Sequence, residues 1–147
     1  MKYVVRICLI VALGLVLQAC QGEVASNEEG LALAEKYVNA VNEGKYEDAF
    51  SLVSEDFFNL MSDDERIEYY KKIKEIMGPV VSVKLSNSLV DDRFSARFYM
   101  FQFSFKHENG ITTEMVTMLQ KINSKEPLKV FGHKVDSSKL KKLNASL

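Results

Sequence analysis

The spacing of hydrophobic positions changes once along this chain. From Leu31 to Met77 apolar side chains recur at helical spacing, and from Val81 to Val135 they mostly alternate with polar ones. The first pattern predicts helices. Leu31, Ala34, Tyr37, Val38 and Val41 form one apolar stripe. Ser26 and Glu29 make a capping box ahead of it, and Gly44 ends it as a left-handed cap. Tyr46, Ala49, Phe50, Val53 and Phe57 repeat the stripe and predict a second helix, loosening between Phe58 and Met61. Ser62 and Glu65 form a second capping box, with Asp63 and Asp64 in the first turn, where the helix dipole favours acid. Ile67, Tyr70, Ile73, Ile76 and Met77 then face a core, and Gly78-Pro79 stops the helix.

The second pattern predicts strands. Val81, Val83, Leu85 and Leu89 mark the first, with a turn expected at Asp91-Asp92. Phe94 to Lys106 reads as the longest, and Asn109-Gly110 signals a hairpin into Ile111 to Ile122. Leu128 to Val135 closes the set. Short turns between consecutive strands imply an antiparallel meander. The expected fold is therefore α+β, with three N-terminal helices on one face of a curved four-stranded antiparallel sheet. The longest strand breaks its own alternation. Ala96, Phe98 and Met100 share one face, while Phe101, Phe103 and Phe105 share the other. A bulge near Met100–Phe101 would restore one apolar face, and this is the expectation. The alternative is a strand apolar on both sides, which needs a second cover.

The start of the chain follows different rules. Lys2 and Arg6 precede an apolar run from Ile7 to Leu17 of 11 residues, shorter than the roughly 20 that span a bilayer. Leu17-Gln18-Ala19-Cys20 resembles a bacterial lipobox. The resemblance implies a lipoprotein signal peptide over 1–19, cleavage before Cys20, and lipid on that cysteine. Residues 20–26 would then be the lipidated cysteine and a tether, Gln21 to Ser26, reaching about 20 Å when extended. Gln21 is not the Asp that tends to retain such proteins in an inner membrane, so the resemblance implies an outer-membrane anchor facing the periplasm. The membrane is thus the first expected partner.

Without 1–19 the chain has 128 residues, enough for one core. Losing Lys2 and Arg6 leaves 17 basic against 20 acidic side chains, a net of −3. That balance argues against nucleic acid, which needs a concentrated basic surface. With Cys8 removed and Cys20 lipidated, no thiol remains for a disulfide or a thiolate metal site. No HExxH, phosphate loop or nucleophile elbow occurs, and no cofactor is expected.

Candidate chemistry rests on a few side chains. His133 shares strand parity with Phe131 and Val135 and titrates near neutrality in water. Glu114 shares parity with Val116 and Met118 on the neighbouring strand, so the two could form an acid–base pair. A structural, hydrogen-bonded role is the competing expectation for both. Arg97 and Tyr99 share a strand face and are candidates for holding an anionic ligand. His107 falls in a turn and is expected to be solvated.

Several segments resemble the nuclear-transport-factor-2-like (NTF2-like, cystatin-like) superfamily, and within it small secreted domains of the DUF4019 type. They are Tyr37-Val38-Asn39-Ala40-Val41-Asn42-Glu43-Gly44-Lys45-Tyr46 with Ala49-Phe50, Ile73 to Val80, Thr113 to Met118, and Val130-Phe131-Gly132-His133. His133 stands where such domains often carry an aromatic. The resemblance covers roughly 27–136, leaving 137–147 as a C-terminal tail, and implies a cone-shaped domain. It implies no catalytic residues. The expected function is a membrane-tethered, non-catalytic binding or protein-interaction module of the cell envelope. The alternative is an isomerase or dehydratase using a cone pocket with Glu114 or His133 as base. A sheet-to-sheet homodimer and an envelope protein partner are compatible with either.

Overall fold

The computed structural model describes residues 25–58 and 61–144. The expected signal peptide, Cys20 and most of the tether lie outside the described residues. Helix α1 covers Asn27–Glu43 and α2 covers Tyr46–Phe50. A 3-10 turn at Glu55–Phe58 leads to α3, Asp63–Met77. Four strands follow: β1 (Val80–Arg93), β2 (Ala96–His107), β3 (Gly110–Lys121) and β4 (Lys129–Asp136). A 3-10 turn at Ser138–Leu140 and α4, Lys141–Asn144, follow β4. The strands form one antiparallel sheet in the order β1-β2-β3-β4, so the architecture is α+β. No helix among the described residues is long and apolar enough to cross a membrane.

Local sequence explains the helix ends. Ser26 and Ser62 each cap their helix, with Glu29 and Glu65 reaching back to complete both capping boxes. Gly44 ends α1 at φ 78°, and Gly78 ends α3 at φ 75°, conformations that glycine adopts without a Cβ clash. Helix α2 is shorter than its apolar spacing predicts. It ends at Phe50 because the next residues bond to the sheet instead. Val130 N donates to Leu52 O at 3.0 Å and Ser54 N donates to Val130 O at 2.8 Å, making a parallel bridge at Val53. Val53 is therefore a core residue without being a helical one.

The sheet corrects two expectations. Asp91-Asp92 is not a turn. Strand β1 runs through to Arg93, and Phe94-Ser95 make the reversal, with Phe94 at φ 56°. Asp92 is opposite Arg97 in the ladder and accepts two hydrogen bonds from its guanidinium at 2.6 and 2.7 Å. The bulge expected near Met100–Phe101 is also absent. Strand β2 pairs with β3 in one unbroken register from Ala96 to His107. The irregularities lie in β1, between Val80 and Ser82 and between Leu85 and Asn87, and opposite Thr117/Met118 in β4. Such bulges bend a strand and increase its twist.

With that register, Tyr99, Phe101, Phe103 and Phe105 all face the helices and are buried. They pack in one cluster with Ala34, Tyr37 and Val38 of α1, Ile73 and Met77 of α3, and Val116, Met118, Val130 and Val135 of the sheet. Phe98 and Met100 lie on the outer face, half-buried, beside exposed Leu89 and Met115. Strand β2 is apolar on both faces, and at 12 residues it is not the longest strand as expected, because β1 runs on through Asp91-Asp92 to 14 residues.

Gly30 shows how closely α1 sits on this layer. A Cβ there would lie 3.0 Å from Tyr99 Cδ1 and 3.3 Å from Phe101 Cε2, in rings that are fully buried. Alanine normally gains about 1 kcal/mol over glycine inside a helix. Overpacking a tight core costs about 1–3 kcal/mol. Gly30→Ala is therefore expected to lower stability by about 1 kcal/mol in urea denaturation. A gain would show that the helix can lift off the sheet.

Candidate functional site

The helices do not cover the whole inner face. Strand β1 is an edge strand, and every residue of it except Asp91 is exposed. Val83 points to the same side as Phe105, its ladder partner, yet remains open to solvent. Between β1 and the ends of α1 and α3 lies a pocket of about 320 Å³. Val41, Ile73, Val80, Val83 and Val135 give it apolar walls. Asn39, Asn42 and Lys74 stand among its polar lining, and Glu114, His107 and His133 reach it from the sheet. That size and mixture suit a small organic ligand.

Glu114 and His133 reach this place because of strand parity. Val116 is opposite His133 and Glu114 is opposite Val135, so both side chains point toward the helices from neighbouring strands. His133 Nε2 lies 3.1 Å from Glu114 Oε2. The His133 side chain is 0% exposed and that of Glu114 5%. The structure thus brings together the two residues the sequence singles out. Burying a carboxylate is costly unless it is hydrogen-bonded, and this one is bonded on both oxygens. Thr112 Oγ1 lies 3.0 Å from Glu114 Oε1.

The bonds continue in both directions. On one side Tyr70 Oη is 2.8 Å from His133 Nδ1, and Tyr37 Oη is 2.8 Å from Tyr70 Oη. Burial raises both phenols above their ordinary value, so both remain hydroxyls that donate. Glu114 Oε2 accepts from Nε2–H of a neutral His133, so the Nδ1 lone pair accepts from Tyr70, and Tyr70 in turn accepts from Tyr37. Tyr69, next along α3, is pushed up to about 12, first by burial and then by the charges of Glu114 and Asp136.

On the other side His107 is buried, which corrects the expectation of a solvated turn residue. The hairpin loop is Glu108-Asn109, because His107 pairs with Gly110. Asn109 N donates to Met77 O at 2.9 Å and Glu108 N donates to Pro79 O at 3.1 Å, which tie the hairpin to the end of α3. His107 then sits with Nδ1 3.1 Å from Gly78 O and Nε2 3.0 Å from Thr112 Oγ1.

The structure does not bring Arg97 and Tyr99 to the pocket, and neither is among its lining residues. Arg97 is held by Asp92, and Tyr99 Oη donates to Ala25 O. They serve the β1–β2 hairpin and the start of α1. Sequence reading missed Thr112, Tyr37, Tyr70 and His107 as members of the site. One signal was present: Thr112 shares parity with Glu114, and His107 shares parity with Phe105. Among the described residues, no three His, Cys, Asp or Glu side chains converge as metal ligands.

No family model matches the chain, and no curated protein matches it. Among solved structures, Bdellovibrio bacteriovorus Bd1075 is similar, with a TM-score of 0.51 and 12% identity. The match covers 76% of this chain and 41% of that one, so the chain spans about two-fifths of that protein's length. At this identity the likeness is one of fold.

Proposed function

We propose that this chain is a membrane-tethered lipoprotein of the cell envelope whose NTF2-like domain binds a small molecule, without turnover, in the pocket over Glu114 and His133. The observation that carries the binding reading is the pocket of about 320 Å³ with apolar walls and a buried, hydrogen-bonded acid–base pair at its floor. An apolar wall favours a ring or branched body, and the floor favours one polar group on it. Leu17-Gln18-Ala19-Cys20 supports the lipid anchor and, with Gln21, the outer membrane. The order of helices before a meander supports the NTF2-like reading. Exposed Leu89 and Met115 beside half-buried Phe98 support a sheet-to-sheet homodimer or an envelope protein partner on the outer face.

Phenol, indole and cyclohexanone are suitable probes, since each joins a small apolar body to one donor or acceptor. Titrated into the whole chain, at least one is expected to give saturable NMR shifts at Val41, Val83 and Val135. Val83→Trp fills the pocket from the exposed strand and is expected to weaken that binding by tenfold or more. No saturable shift from any probe, or the same affinity in Val83→Trp, contradicts the binding reading.

The contact between His133 and Glu114 favours a second reading, an isomerase or dehydratase with Glu114 or His133 as base. Such a base would exchange the α-protons of bound cyclohexanone for deuterium faster than buffer does. The non-catalytic reading expects no such acceleration. Exchange that Glu114→Gln abolishes would replace it with the enzyme.

A further inference from the structure

We propose that Thr112 is a two-way proton bridge between His107 and Glu114, and that the pocket floor holds one proton beyond an ionised Glu114 and two neutral histidines. The argument is a count. Six hydrogen bonds run in line: Tyr37–Tyr70, Tyr70–His133, His133–Glu114, Glu114–Thr112, Thr112–His107 and His107–Gly78 O. Tyr37 also lies 3.4 Å from His133 Nδ1, but that nitrogen has one lone pair and Tyr70 is closer. Each bond needs one hydrogen. Two phenols, one threonine hydroxyl and two neutral imidazoles supply five, and an ionised carboxylate supplies none. One bond would be two acceptors facing each other.

The ends of the line fix where the missing proton goes. Gly78 O only accepts, so His107 Nδ1 carries hydrogen. Tyr70 donates to His133 Nδ1, so His133 Nε2 carries hydrogen and points at Glu114. Only the links through Thr112 remain, and two arrangements complete them. In one, His107 is an imidazolium whose Nε2–H donates to Thr112, and the Thr112 hydroxyl donates to ionised Glu114. In the other, Glu114 Oε1–H donates to Thr112, and the hydroxyl donates to Nε2 of a neutral His107. Passing from the first to the second breaks His107 Nε2–H and forms a new O–H on Thr112. The old Thr112 O–H breaks and its proton goes to Glu114 Oε1. No atom or charge is gained or lost.

Burial supports the same count. Thr112 is fully buried, with His107 and Glu114 nearly so. With the extra proton, the unit is neutral overall. Without it, one link of this buried line would set two acceptors face to face, which is unfavourable even with the Arg66 guanidinium bonded to Tyr70 close by. The charged or ionisable groups around this unit are Arg66, Tyr69 and Lys74 of α3, Glu43 of α1 and Asp136 of β4. Thr112 acts through Glu114 and is a positioning residue. The bridge lets Glu114 meet a ligand as carboxylate or as acid without exchanging a proton with bulk water.

The test reads protonation in the whole chain without ligand, so its failure is separate from failure of the binding reading. Ring-15N histidine and carboxyl-13C glutamate NMR at neutral pH report all three groups. The wild type is expected to show either a doubly protonated His107 with ionised Glu114, or Nδ1–H His107 with protonated Glu114. Ionised Glu114 with both histidines neutral overturns the proposal. Thr112→Ser keeps the hydroxyl and is expected to match the wild type. Thr112→Val deletes two links, and the remaining four have four hydrogens. It is expected to lose one proton, leaving Glu114 ionised and His107 protonated on Nδ1 alone. A Thr112→Val spectrum with the wild-type protonation also overturns the proposal. If that variant does not fold, the wild-type spectrum decides alone.

Discussion

Glu114→Ala is expected to destabilise the domain by about 3 kcal/mol, because it strands two buried partners at once. His133 Nε2–H loses its acceptor, and Thr112 loses its contact with Oε1. An unsatisfied buried polar group costs about 1–3 kcal/mol, and both side chains are buried. Glu114→Gln keeps an oxygen within reach of His133 and is the milder change. Urea denaturation, with an unchanged m-value, checks the figure. A loss well below 1 kcal/mol would mean that water entering from the pocket replaces the hydrogen bonds of the lost carboxylate.

Phe103→Ala is expected to cost about 3–5 kcal/mol, the usual range for removing a buried phenyl ring. Phe103 is 1% exposed, lies beside Phe105 with ring centroids 6.2 Å apart, and is opposite Glu114 across the β2–β3 ladder. Its loss would hollow the core directly beneath the acid–base pair. The spread depends on how far the surrounding rings collapse into the space. Thermal or urea unfolding measures it. A small loss would mean that β2 presents its other face, with Phe98 and Met100, to the helices.

Much of this fold was legible because single residues fix it. Ser26, Glu29, Ser62 and Glu65 set the helix starts by local hydrogen bonds, and Gly44 and Gly78 set the ends by backbone freedom. These effects act within a few residues and need no tertiary partner. The misreadings arose where a distant partner decides. Val53 has helical spacing, yet the edge of β4 draws its backbone out of the helix. Asp91-Asp92 has turn composition, yet Arg97 holds Asp92 within a strand ladder. Phe98 to Phe105 read as a register break because one apolar face was assumed, whereas the outer face is apolar as well.

The site divides in the same way. Glu114 and His133 were legible because parity puts both on one face of a sheet. Their meeting depended on β4 pairing with β3 in the register that sets Val116 opposite His133. His107 was misread because its hairpin folds back onto the end of α3, a contact with no local signal. Tyr37 and Tyr70 carry helical spacing that announces a core. Their hydroxyls become part of the site only because a histidine stands where the core would otherwise be apolar.

The central claim is that the pocket above Glu114 and His133 is a place for a ligand. A crystal structure of the whole protein purified from its native host tests it most directly. The account predicts the pocket open between β1 and the ends of α1 and α3, with density for a small molecule whose polar group contacts Glu114. A pocket collapsed shut by Val80, Val83 and Ile73, with Glu114 sealed beneath them, would contradict it.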